Sequence, residues 1–388
     1  MKAIWALGVG AGGSGYPNGP GTIALLAKHP CWSVIDRVRW LPADVQLWRL
    51  AKGGVLERAR ILWCLGIRSI FLPIDLLRAR LAGAAVFAPY PALFFLAAAR
   101  CMPRRFRPRI IADSFISVWD SGFSDRKFTR ANGRVSRAVN WFESWCLCAA
   151  DAVIVDTFEN GAFFEQHLSV PSGKIHVLPL AVETRQLISL GPPLPTESRP
   201  LRVLYVGTFV PLHGFSVIVD ALHQLSSADN VEFRIVGDGQ DSQRFEDAMQ
   251  KGFSCRVTWI REWQSLDELA NHYAWADVCL GVFGSEGKAS RVMPFKVYAA
   301  FAACRAVVTQ DDMGSPVLER APVITSPSDG TSLAERLRSL ASEPEMVSAF
   351  ALAGRDFFQR NLSSVAVSNA WSDLWVKVEA VERVSRSP

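Results

Sequence analysis

Three cations stand near one another in the second half of the chain. Lys288, Arg291 and Lys296 lie in the stretch from Gly284 to Tyr298, and Pro294 ahead of Lys296 suits a helix start. Cationic side chains beside a helix N-terminus can hold a diphosphate, although such a run also suits a solvated surface. Two more polar loops follow apolar runs: Gly207 through His213 and Gly214, with Thr208 inside it, and Gly237-Asp238-Gly239. Phe283, Gly284 and Glu286 open the cationic loop. The first loop offers His213 as a phosphate ligand, and Asp238 sits where a simple turn would also satisfy the sequence. In the first half, Gly8 through Gly15 is glycine-rich, and Gly10, Gly12 and Gly13 could bring backbone N–H groups against an anion. A nicotinamide site there would need an acid closing the second strand about 20 residues on. Asp36 has that spacing, but the strand before it is poorly formed, so a dehydrogenase ranks low. Asp113 ends an apolar run, where it could bind an acceptor or act as a base; a helix N-cap is the rival role.

These residues need strands to carry them. Apolar runs alternate with helical patterns throughout, the mark of parallel α/β layers. Strands are predicted at 3–8, 38–41, 84–88, 109–112, 152–155 and 175–178, then at 201–206, 231–236, 256–260, 278–283, 306–309 and 323–325. Helices are predicted at 215–225 and 266–275, and a terminal one at 365–384. Between the series, residues 191–200 hold four prolines in a polar stretch, which reads as a linker. The expected domains are therefore 1–190, the linker 191–200, 201–365, and a helix with its tail at 366–388. Each polar loop of the second series falls at the carboxyl end of a strand, where open parallel sheets bind ligands.

The chain has 388 residues, 49% hydrophobic and 20% charged, enough for two domains with large cores. Its eight cysteines show no C-x-x-C spacing and sit mostly in apolar runs, so they read as buried free thiols. Trp259, Trp263, Trp371 and Trp375 read as lining of a core or cleft. Residues 81–99 carry no charge, but Pro89 and Pro91 at the centre argue for a buried strand rather than a membrane span. The net charge of +5 is concentrated. Arg58, Arg60, Arg68, Arg78 and Arg80 punctuate an apolar segment, and Arg100, Arg104, Arg105, Arg107 and Arg109 follow with no acid among them. That pattern suits an anionic membrane surface, or simply a solvated basic face. No nucleic-acid recognition pattern accompanies it.

The segments Tyr205 through Gly214, Ile235 through Gly239, Leu269 through Val278 and Gly284 through Thr309 resemble the nucleotide-binding domain of retaining family-4-type glycosyltransferases (glycosyl transferases group 1). More loosely, Asp113 through Asp120 and Ala150 through Thr157 resemble the acceptor domain of bacterial enzymes of that group. The resemblance implies a GT-B fold, with two Rossmann-like parallel-sheet α/β domains facing across a cleft. It implies a nucleotide-sugar donor in the C-terminal domain and a saccharide, lipid-linked or small-molecule acceptor in the N-terminal one. It also implies retention of configuration. The sequence departs from the family at several positions. Thr208 or Phe209 replaces a basic residue, His213 stands where a lysine is usual, and Arg291 and Ala299 occupy the places of two glutamates. Glu286 remains as the acid for the donor sugar. Thr208, Gly237, Asp238, Phe283, Gly284, Glu286 and Lys288 are then donor contacts, along with Gly10, Gly12 and Gly13. His213, Lys288, Arg291 and Lys296 are expected to stabilise the leaving diphosphate without a metal or cofactor, since no Asp-x-Asp motif occurs. UDP-sugar is favoured over GDP-sugar. The expected location is cytoplasmic, peripheral at the inner face of the plasma membrane. The rival readings are a GT-B-shaped sugar-nucleotide epimerase and a catalytically degenerate binding protein.

Overall fold

The structure, a computed structural model, describes all residues except 1, 12–17, 43–44, 46–53, 126–132, 183–184, 194–197, 285–286, 312 and 386–388. It divides into two compact units, residues 1–183 with 364–388, and residues 184–363.

The first unit is a parallel sheet of six strands among the described residues: β1 (Lys2–Gly8), β2 (Trp32–Val38), β3 (Ala85–Ala88), β4 (Ile110–Asp113), β5 (Ala152–Val155) and β6 (Ile175–Val177), in the order β2-β1-β3-β4-β5-β6. The strands β3, β4 and β5 are buried at every position, as expected for parallel strands covered on both faces. The strand expected at 38–41 lies earlier in the chain. Trp32–Val38 pairs with Lys2–Gly8 residue by residue. As an edge strand it tolerates exposed Asp36 and Arg37, and these charges hid it in the sequence. The terminal helix Ser364–Ser385 belongs to this unit, not to the second sheet that precedes it in the chain. Its Trp371 meets Phe87 edge-on at 5.5 Å between ring centres, and its Trp375 lies 6.2 Å from Trp32. The uncharged run 81–99 divides into β3 and the nine-residue helix Leu93–Cys101. No helix among the described residues is long and apolar enough to cross a membrane.

The second unit is also a six-stranded parallel sheet: β7 (Leu201–Val206), β8 (Val231–Val236), β9 (Arg256–Ile260), β10 (Val278–Leu280), β11 (Ala306–Thr309) and β12 (Ile324–Thr325), ordered β12-β11-β10-β7-β8-β9. Its aromatic core stacks Phe209 on Phe215 at 3.8 Å, with Phe245 edge-on to both. Two buried charged groups tie the chain entering this sheet. Arg199 makes paired bonds of 2.6 and 2.8 Å to buried Asp277, at the start of β10. Buried Arg305 donates to the carbonyls of Tyr273, Gly191, Ala303 and Cys304 at 2.6–2.9 Å. In the stretch expected as the linker, Gly191 and Arg199 bond to residues of the second unit.

Two surface expectations are corrected. Trp263 is 75% exposed, because it follows the edge strand β9 instead of packing under it. All eight cysteines are free as expected, but Cys31, Cys101 and Cys148 are exposed. An apolar run in sequence does not by itself fix which face of an element is covered.

Candidate functional site

The order of the second sheet places β7 between β10 and β8, so the chain leaves its first strand in one direction and later returns to the other side. Open parallel sheets bind ligands outside the carboxyl ends of the strands at such a reversal. The loops after β7 and β10 meet there. The N–H of Phe283 donates to the carbonyl of His213 at 3.1 Å, and the N–H of Gly207 to that of Val236 at 3.0 Å. The approach is so close that a side chain at Gly214 would lie 2.2 Å from the Phe283 backbone, and Gly214 also has φ +61°. Gly237 and Gly284 likewise press on backbone, at Gly207 and Leu212. These glycines let the loops knit to each other.

Lys296 is the second residue of the helix Phe295–Ala302. Its ammonium sits 3.9 Å from the centre of the Tyr205 ring, near the end of β7. The nitrogen is shielded from water and has no hydrogen-bond partner among the described residues. Loss of water pushes its pKa down to about 7. Gly207 makes room for it, since a methyl group there would come within 2.8 Å of Nζ.

Tyr205 also holds the next residue. Its hydroxyl donates to the Thr208 carbonyl at 3.2 Å and lies 3.4 Å from His213 Nδ1. His213 Nδ1 is 2.8 Å from the same carbonyl, which can only accept, so Nδ1 carries the proton and Nε2 is left as an acceptor. Desolvation, then the charges of Lys296 and Lys288, drive the imidazole pKa down to about 3. Loss of water first, and then the neighbouring lysine charges, favour the neutral imidazole here.

Lys288 lies on the 3₁₀ turn Gly287–Ser290, which packs against the turn Pro211–His213. Arg291 follows that turn, and its carbonyl lies against Gly314. Thr208 is exposed, and its carbonyl is the common acceptor for Tyr205 and His213. Phe283 is buried core at the foot of the loop. Asp238 accepts from Ser242 Oγ and the N–H of Gly239 and pairs with Arg261 at 3.6 Å, which together hold its pKa below the usual range. Its carboxylate is thus engaged in shaping the turn. Glu286 lies outside the described residues.

In the first unit, Gly10 is packed: a side chain there would run into the Trp40 ring at 2.6 Å. Gly12 and Gly13 lie outside the described residues. Asp113 is buried at the end of β4, with Oδ2 accepting from Asn18 Nδ2 at 2.9 Å. Asn18 Oδ1 in turn accepts from the N–H of Ala181 at 2.8 Å. Burial raises the Asp113 pKa to about 7. The two residues border a small pocket with room for about one water. Glu143, also raised to about 7 by burial, accepts from Ser117 Oγ and the N–H groups of Val118 and Trp119 at 2.7–3.0 Å. Sequence reasoning missed Tyr205 and Asn18. Tyr205 had a signal, an aromatic residue two positions before Gly207, the glycine that follows β7. Asn18 had none, because its partner lies 95 residues away.

Residues 200–343 match the family described as Glycosyl transferases group 1. No curated protein sequence matches the chain. Among solved structures it resembles Anabaena Alr3699/HepE in complex with UDP and glucose, at 12% identity and TM-score 0.62, over 97% of this chain and 100% of that one. It also resembles WaaG, a glycosyltransferase involved in lipopolysaccharide biosynthesis, at 14% identity and TM-score 0.62, over 95% and 98%. S. aureus TarM in complex with fondaparinux, alpha-GlcNAc-glycerol and UDP gives 13% identity and TM-score 0.56, over 75% of this chain and 55% of that one, so the chain spans about half of TarM. Identities this low speak for the fold, while the sequence match over the second sheet speaks for the family. Residues 200–343 thus match the glycosyl transferases group 1 family, within a chain whose two-sheet α/β fold is that of these GT-B glycosyltransferase structures.

Proposed function

We propose that the chain transfers a sugar from a nucleotide-diphosphate donor bound at the carboxyl ends of β7 and β10, with UDP favoured over GDP. The observation that carries this reading is the Lys296 ammonium, shielded from water without a hydrogen-bond partner among the described residues, at the reversal of the strand order. A desolvated cation gains most from an anion that arrives to pair with it. The donor diphosphate supplies that anion. As the bond to the anomeric carbon breaks, charge grows on the departing oxygen, and a fixed cation stabilises it more in the transition state than before. Lys288 and Arg291 extend the positive field. His213, held neutral by burial and the lysines, is proposed to offer Nε2 to a hydroxyl, or to take up a proton from the diphosphate side as the donor binds. The N-terminal unit is proposed to hold the acceptor, a glycan, a lipid-linked saccharide or a small molecule. Transfer is proposed to retain configuration and to proceed without a metal, in polysaccharide biosynthesis of a bacterial cell and on the cytoplasmic side.

Calorimetry of the full chain with UDP in the presence of EDTA tests this reading. Binding is expected, and Lys296→Met should weaken it at least roughly tenfold, the loss of one charge-assisted contact. An absolute requirement for a divalent ion would overturn the metal-free mechanism. Unchanged affinity in the variant would move the diphosphate elsewhere.

A further inference from the structure

The helix Val55–Ser69 of the first unit has two opposite apolar faces. Ile61 and Leu65 are buried and dock it on the unit. Across the helix, Leu56, Trp63 and Ile67 are 87%, 69% and 44% exposed. With 100° per residue, these three fall about 140–180° from the buried pair. Ordinary surface helices carry polar side chains there. The outer stripe continues over the joint at Ile70 and Phe71, both exposed, and onto the helix Leu72–Leu81, where Ile74, Leu77 and Leu81 again face outward. Scattered exposed apolar residues are normal, but a run of this length signals an interaction surface.

The charge around the stripe is one-sided. Arg58, Arg60, Arg78 and Arg80 are exposed beside it. Of the two acids on these helices, Asp75 is buried and paired with Arg39, and Glu57 is half-buried. Arg80 Nε donates to the Arg105 carbonyl at 3.3 Å, which joins the end of the second helix to the turn Arg104–Phe106. That turn adds Arg104, Arg105 and a partly exposed Phe106. The cations crowd closely enough there that Arg100 and Arg104 oppose the charge of Arg107.

We infer that this face docks the N-terminal unit on an anionic phospholipid bilayer, with Leu56, Trp63, Ile70 and Phe71 seated among the acyl chains and the arginines on the headgroup phosphates. Charge complementarity selects that occupant over a neutral protein surface. Interleaved apolar and basic residues gain from the two layers of an anionic interface at once. Helices of 15 and 10 residues are about 22 and 15 Å long, short of the roughly 30 Å hydrocarbon core, so they lie in the interface and do not cross it. The inference is independent of the donor reading, since no residue of the second unit enters it.

Vesicle flotation of the full chain tests it. Vesicles with 30% anionic phospholipid in a zwitterionic background should carry the protein at low salt, and purely zwitterionic vesicles should not. Raising the salt to about 0.5 M should weaken binding at least roughly tenfold, because exposed charges are screened within a few ångströms. The double variant Leu56→Ser, Trp63→Ser and the double variant Arg78→Glu, Arg104→Glu should each lose at least roughly tenfold in partitioning. Circular dichroism and the melting temperature check that both stay folded. Leu318→Ser, which changes a 90% exposed leucine of the second unit, should float within twofold of the parent. Absence of flotation on anionic vesicles at low salt overturns the inference, as does equal flotation of the Leu56, Trp63 variant. So does a dimer in ultracentrifugation that this variant abolishes while the parent fails to float, which would make a second copy the occupant.

Discussion

The two units are both six-stranded parallel sheets among the described residues, but they differ in strand order and in the sign of the buried group left incompletely bonded near a strand end. In each, six parallel strands are ordered so that the first strand lies inside the sheet. In the first unit, Asp113 at the end of β4 holds Asn18 through Oδ2 while its Oδ1 has no hydrogen-bond partner among the described residues, and Glu143 on the helix Arg134–Leu147 accepts three hydrogen bonds. In the second, Asp277 and Arg305 are fully bonded, but the Lys296 ammonium rests on an aromatic face with no hydrogen-bond partner among the described residues. A satisfied buried group organises its surroundings, whereas an unsatisfied one is a cost that only a ligand removes. The sheet that matches the glycosyltransferase family keeps an ammonium with no hydrogen-bond partner among the described residues, whereas Asp113 of the first unit keeps one bonded and one unbonded oxygen.

The strongest way to break this comparison is to remove the cation. Lys296→Ala should lower turnover roughly 10²–10³-fold, the usual size for one lost electrostatic contact to a transition state, while the melting temperature holds or rises. The fold tolerates the change because Nζ makes no hydrogen bond whose loss would strand a partner. Turnover within threefold of the parent would show that the unpaired charge is incidental.

A pH series sharpens it, because the two units should respond with opposite sign. Burial raises Asp113 from 3.8 and Glu143 from 4.5, both to about 7, so the folded chain holds protons that the unfolded chain has lost. Their contribution is present below about pH 4 and is lost as pH rises through 7. Burial lowers Lys296 from 10.5 to about 7, so here the unfolded chain binds the extra proton. Its contribution rises from pH 7 towards 10.5 and is lost as pH falls through 7. Melting curves from pH 5 to 9 should show Asp113→Asn flattening the acidic limb and Lys296→Met flattening the alkaline one. Both variants altering the same limb would contradict the assignment.

The smallest effect is expected at Asp238. Its carboxylate already serves Gly239 and Ser242, so Asp238→Ala should cost about 0.5–1 kcal/mol of stability, the net worth of an exposed hydrogen-bonded turn. UDP affinity should stay within threefold. A larger loss of affinity would return Asp238 to the donor site.

Much of the scaffold was legible in the sequence because parallel strands are short, apolar and regularly spaced. The runs at 152–155, 201–206, 231–236, 256–260 and 306–309 appear at those boundaries. The edge strand Trp32–Val38 was not legible, since its charges face solvent and only pairing with β1 makes it a strand. The cationic loop was visible as a cluster of residue types. The state of its members was not, because protonation follows burial and neighbours. His213 reads as a phosphate ligand in sequence, and only the fold shows that burial, with Lys296 and Lys288 nearby, drives its pKa down to about 3.

By itself, then, the sequence determined two α/β units, the glycine-bounded loops at the strand ends and the arginine-studded apolar segment. Period and composition are local properties, and local rules suffice to read them. Only the tertiary structure decided that the last helix returns to the first unit, that Asn18 clamps Asp113, and that Lys296 lies dry over Tyr205. Each of these joins residues far apart in the chain, and the energies that settle them belong to the contacts made on folding.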